Sequence, residues 1–145
     1  MKAHLQRYRD FFESLNPHEL GKIDQLFSED ALFRDPFNRV RGRAAIRRIF
    51  EHLLAEHPQA RFEVTEIADN GDSCYLRWLF RPDPQRPLCI EGVSRVRFDA
   101  QGRACEHLDY WDSNSELFAR LPLLGGLVRW LLRRLQTRAA DQTSD

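Results

Sequence analysis

Asp35 stands directly before Pro36 in Phe33-Arg34-Asp35-Pro36-Phe37, and His107 and Asp109 lie two residues apart near the end of an alternating run. A partly desolvated carboxylate suits a general base, and an imidazole beside a carboxylate suits a tunable acid. Both placements also have plainer roles. Asp before Pro commonly fixes a turn, and polar residues alternate along the wet face of many antiparallel sheets. Tyr8 lies on a helical stripe with Leu5, Phe11 and Phe12. Its phenol either donates to a developing negative charge or packs with its hydroxyl satisfied.

Other chemistries lack their residues. The sequence has no glycine-rich phosphate loop and no serine nucleophile elbow, and Cys74, Cys89 and Cys105 fall at no metal-ligand spacing. The expected chemistry is cofactor-free, with no metal. Three cysteines are an odd set, read as free thiols in a reducing cytoplasm.

Charge excludes further classes. The 22 basic and 22 acidic residues among 145 balance, so no overall field favours nucleic acid. All the cations except Lys2 and Lys22 are arginine, five of them within Arg39–Arg48 and five more within Arg120–Arg138; a codon bias toward arginine accounts for the excess. The amino terminus lacks the apolar run of a signal peptide, and Leu117–Leu135 is broken by Arg120, Pro122 and Arg129, too interrupted to span a bilayer. A cytoplasmic protein is expected.

Several elements must position the candidate residues. Leu5, Tyr8, Phe11, Phe12 and Leu15 have helical spacing, and Asn16-Pro17 ends that helix and opens a second through Leu20, Ile23, Leu26 and Phe27. Ala31–Arg34 reads as a short strand stopped by Asp35-Pro36. A third helix follows Gly42 to about His57, with Ile46, Ile49, Phe50, Leu53 and Leu54 on its stripe. The period then becomes two, giving strands near 60–69, 72–81, 88–99 and 103–112. Helices followed by a strand meander make an α+β order, and a sheet curved around the third helix encloses a cavity.

The stretch FSEDALFRDPFNRVRGRAAIRRIF, with an acid, short strand, Asp-Pro turn, glycine and amphipathic helix in that order, resembles the nuclear transport factor two-like superfamily. Within it the similarity is to ketosteroid isomerases and SnoaL-like polyketide cyclases, over roughly residues 4–112. The resemblance implies a cone-shaped curved antiparallel sheet packed on three amino-terminal helices, in a domain spanning 1–114. It places an isomerase base on Asp35 and an oxyanion tyrosine on Tyr8. Where those isomerases carry a protonated aspartate as second donor, this chain has Ser94, read as a spacer that leaves room for ligand. The same resemblance turns His107, Asp109 and Trp111 into the cavity, with Phe12 and Trp78 as further ligand contacts.

The expected function is therefore an acid/base enzyme of isomerase, cyclase or hydrolase type, acting on a hydrophobic small molecule. Asp35 is the base, Tyr8 the hydrogen-bond donor, and His107 with Asp109 an auxiliary pair. The alternative is a noncatalytic module that binds an apolar or lipid-like ligand. A homodimer would cover Tyr75, Leu79, Leu108 and Tyr110 on the outer sheet face. Residues 115–136 form an amphipathic extension with Leu127, Val128, Leu131, Leu132 and Leu135 on one arc. That helix packs on its own sheet or a partner, or its segment 120–135 touches the inner face of the membrane peripherally. Residues 137–145 read as a disordered tail.

Overall fold

A computed structural model of the chain describes residues 1–112. The extension expected at 115–136 and the tail at 137–145 lie outside the described residues. Met1–Trp111 form one compact unit.

Helix α1 (Ala3–Glu13) buries Leu5, Tyr8, Phe11 and Phe12 on one stripe. Its end is tied down by Ser14, whose backbone N–H and hydroxyl both donate to the Asp10 carbonyl. A single 3-10 turn (Leu20–Lys22) leads into the four-residue α2 (Ile23–Leu26). Strand β1 (Phe27–Arg34) and the three-residue β2 (Arg39–Arg41) precede α3 (Arg43–Glu56), which buries Ile46, Phe50 and Leu54. Four strands complete the sheet: β3 (Arg61–Asp69), β4 (Cys74–Arg81), β5 (Ile90–Phe98) and β6 (Ala104–Trp111).

The six strands lie in the order β2-β1-β6-β5-β4-β3, so the sheet is open, with β2 and β3 at its edges. Irregular register between Val64 and Glu66, Arg97 and Phe98, and Phe27 and Leu32 supplies the bends that curve it. Helices α1 and α3 fill the concave side, where Phe11, Phe12, Phe33, Phe50, Leu76 and Val96 share one core. Burying each such side chain contributes about 1.5–3 kcal/mol. On the outer face Tyr75 and Tyr110 are exposed and Leu108 is buried. The Arg34 guanidinium lies 5.4 Å over the Tyr110 ring.

Three features differ from the pattern expected of the sequence. Strand β1 begins at Phe27, not Ala31, because its irregular register lets Phe27 and Ser28 bury beside the exposed Glu29 and Asp30, which breaks the alternation. Strand β2 is too short and too charged to show a period. The pairing of β1 with β6 is parallel, whereas every other pairing in the sheet is antiparallel. No helix among the described residues is long and apolar enough to cross a membrane.

Candidate active site

The register of the last three strands sets side chains in rows across the concave face. Cys74, Val96 and His107 form one row, Leu76, Ser94 and Asp109 the next, and Trp78, Gly92 and Trp111 a third. Alternation carries His107 and Asp109 out of the same face of β6. Their side chains meet, with His107 Nε2 2.7 Å from Asp109 Oδ1.

Helix α1 crosses above this row and brings Tyr8, whose hydroxyl lies 2.7 Å from His107 Nδ1. The Ser94 hydroxyl donates to Asp109 Oδ1 at 2.5 Å, and the Trp78 indole N–H donates to Ser94 Oγ at 2.8 Å. Five residues from four elements thus form one continuous hydrogen-bonded chain. With Asp109 ionised, its oxygens only accept, so Nε2 of His107 carries the ring proton and Nδ1 accepts from Tyr8. Asp109 Oδ1 then receives two donors. Among the described residues no hydrogen bond engages Oδ2.

Aromatic rings enclose the imidazole. Phe33 stacks on His107 at 4.8 Å between centroids with 18° between planes, and Phe12 and Tyr8 lie at 5.7 and 6.0 Å. His107 is 3% exposed and Tyr8 1%. Burial, assisted by the Asp109 charge, pushes the Tyr8 phenol well above its ordinary range. Tyr8 is therefore held as a neutral donor.

The chain borders a cavity of about 40 Å³, several times the roughly 10–15 Å³ that one water needs. Its polar lining comes from Tyr8, Ser94, His107 and Asp109, and Phe12 and Trp78 complete the contribution expected from the sequence. Phe50, Phe62, Val64 and Leu76 also line it. Those four had no assigned role, although Phe62 with Val64 and Leu76 with Trp78 each sit two apart on one strand, which is the signal that marks a shared face. No group of His, Cys, Asp or Glu among the described residues could hold a metal ion.

Trp78 reaches Ser94 because Gly92 gives it room. The indole crosses strand β5 where a side chain would stand: a Cβ on Gly92 would lie 2.4 Å from two of its ring carbons. Trp111, in the same row, sits beside Phe37 at 5.6 Å and outside the cavity lining.

Asp35 also lies outside that lining. Its Oδ1 accepts the backbone N–H groups of Phe37 and Asn38 at 2.8 and 2.6 Å, and the Asn38 side-chain amide contacts both carboxylate oxygens. The carboxylate fixes the turn from β1 to β2. Continued by one residue, the register Phe33↔His107 and Arg34↔Leu108 sets Asp35 level with Asp109 at the strand end. The structure thus joins Tyr8, His107, Asp109, Ser94 and Trp78, and leaves Asp35 and Trp111 apart from them.

Comparison with known proteins agrees with this architecture. The family model described as a SnoaL-like domain matches residues 8–107. A candidate isomerase of the SnoaL-like family from Agrobacterium tumefaciens str. C58 superposes with a TM-score of 0.65 at 18% identity, over 75% of this chain and 94% of that one. A candidate SnoaL-like polyketide cyclase from Shewanella putrefaciens CN-32 gives 0.63 at 16%, over 81% and 86%. A candidate ketosteroid isomerase from Kribbella flavida DSM 17836 gives 0.61 at 20%, over 75% of each chain. No curated protein matches the chain. At these identities the solved structures establish the fold, and the family model, covering more than half of the sequence, establishes the kinship: the chain belongs to the SnoaL-like domain family.

Proposed function

We propose that the cavity performs cofactor-free acid/base chemistry on a small hydrophobic molecule bearing a carbonyl or an epoxide, with Asp109 as the proton acceptor. One observation carries this reading: Asp109 borders an aromatic cavity with Oδ1 held by Ser94 and His107, while Oδ2 has no hydrogen-bond partner among the described residues. A general base needs such a fixed, partly desolvated carboxylate with an open lone pair. His107 orients it by donating from Nε2, a bond that also stabilises its charged form. Tyr8, held neutral, donates to Nδ1 and so completes the hydrogen bonding of the tautomer that Asp109 selects. Asp35 is the second candidate base, and it would have to release its turn contacts to act.

The size of the cavity supports a second reading, a binding module without turnover. At about 40 Å³ the cavity admits only a few heavy atoms without displacing side chains, against roughly 300–1,000 Å³ for pockets that enclose drug-sized ligands.

The test begins with a panel of small ketones, epoxides and enolisable esters, scored by thermal stabilisation of the protein and then by turnover. With a substrate in hand, Asp109→Asn should lower turnover by about a hundredfold or more and Asp35→Asn should leave it within a few-fold. The reverse pattern would move the base to Asp35. Stabilisation without turnover by any member would favour the binding module.

A further inference from the structure

Asp109 is mostly buried, with 15% of its side chain exposed, and among the described residues its one ion-pair partner is the imidazole of His107. That imidazole carries charge only if protonated. Among the described residues the cavity lining contains no arginine or lysine. The remaining walls are largely ring faces: Tyr8, Phe12, Phe50, Phe62 and Trp78 all line the same space. A buried carboxylate without a permanent countercharge is costly unless something pairs with it, and aromatic faces attract cations through their negative quadrupole. Among the described residues no arginine or lysine is paired with Asp109. Several arginines of the described unit pair with carboxylates away from the cavity, as Arg77 does with Glu91 and Arg95 with Glu106.

We propose that the cavity recognises a small organic cation, an alkylammonium group that lies against the aromatic faces and supplies the countercharge of Asp109. The inference rests on the same cavity as the proposed function but not on turnover. It adds a substrate class: a hydrophobic molecule whose cationic nitrogen sits next to the reacting carbon. Such a nitrogen would be held by the rings while Oδ2 faces the neighbouring C–H bond. The volume of about 40 Å³ sets the scale of the group that enters first, a short branched alkylammonium with the rest of the molecule outside.

The experiment titrates the full-length protein with isobutylammonium chloride and, separately, with isobutanol, its neutral counterpart of equal shape, at constant ionic strength. Binding is read from the NMR resonances of the Trp78 indole N–H and the His107 ring. The expected result is saturable binding of the ammonium at least about tenfold tighter than the alcohol, equivalent to roughly 1.4 kcal/mol. Equal affinity for the two in the unaltered protein overturns the proposal, and that comparison needs no variant. In Asp109→Asn, whose fold is checked by the same indole resonance, the tenfold preference should vanish. A preference that survives there also overturns it. Loss of the cation preference leaves the acid/base reading standing, because that reading is decided by the turnover of Asp109→Asn on its own substrate.

Discussion

Gly92 and Trp78 compete for one volume: a Cβ at position 92 would stand 2.4 Å from Cζ2 and Cη2 of the indole and 3.0 Å from Trp111 Cβ. The indole cannot give way cheaply, since it is 7% exposed and its N–H is committed to Ser94. Gly92→Ala should therefore push the ring off strand β5 and break the bond to Ser94. The expected cost is about 1–3 kcal/mol, measured by urea unfolding, with a shifted indole N–H resonance in the folded state. Unchanged stability and an unmoved resonance would mean that the strand yields instead of the ring.

Tyr8→Phe should remove the donor to His107 Nδ1 while keeping the ring contacts with Phe12 and Phe27. Leaving that buried nitrogen unpaired costs about 1–3 kcal/mol. The ring nitrogen shifts of the imidazole should move as Nδ1 loses its donor, while Asp109 keeps the proton on Nε2. A variant as stable as the parent, with the same shifts, would show that the contact contributes nothing.

Tyr8 also sets an alkaline limit. Its phenol titrates above its ordinary 10.0 in the folded protein because burial disfavours the phenolate. The folded state therefore holds the proton more tightly than the unfolded state, so this contribution to stability is complete below about pH 10 and is lost as pH rises beyond it. Unfolding free energy should fall more steeply above pH 10 in the parent than in Tyr8→Phe. Parallel curves would remove Tyr8 as the cause.

Cys74 should resist alkylation. Burial, reinforced by the nearby Asp69 carboxylate, pushes its thiol up to about 11, and the thiolate is the reactive form. Mild iodoacetamide treatment of native protein near pH 8, followed by peptide mass spectrometry, should leave position 74 unmodified until denaturant is added. Rapid labelling of the native chain would contradict the burial.

Much of the fold was legible because its signals are local. The stripe Leu5, Tyr8, Phe11, Phe12 and the alternation through β3 to β6 each report a buried face within a few residues. The first half of β1, Phe27–Asp30, and the short β2 were not legible, since one breaks its own period and the other is shaped by pairing rather than by composition. In the site, the shared face of His107 and Asp109 followed from their spacing of two. What Asp35 does at the turn depends on Asn38, three residues on, whose side-chain amide closes over the carboxylate. The link from Trp78 to Ser94 depends on a missing side chain at Gly92 in a neighbouring strand, which no pattern along the chain announces.

Tyr8 and His107 are 99 positions apart in the chain yet joined by one hydrogen bond, and the parallel pairing of β1 with β6, as between Phe33 and His107, also joins distant parts of the chain. During synthesis the first strand leaves the ribosome long before its neighbour exists. Until β6 arrives, β1 has β2 on one side and an open edge on the other, beside a helix rich in phenylalanine. Distant closures of this kind slow folding, because the chain loses its freedom before any contact repays it. The cavity lining is incomplete until His107 and Asp109 have been made, and a nascent chain halted before His107 would expose the apolar stripe of α1 to whatever chaperone or neighbouring chain reached it first.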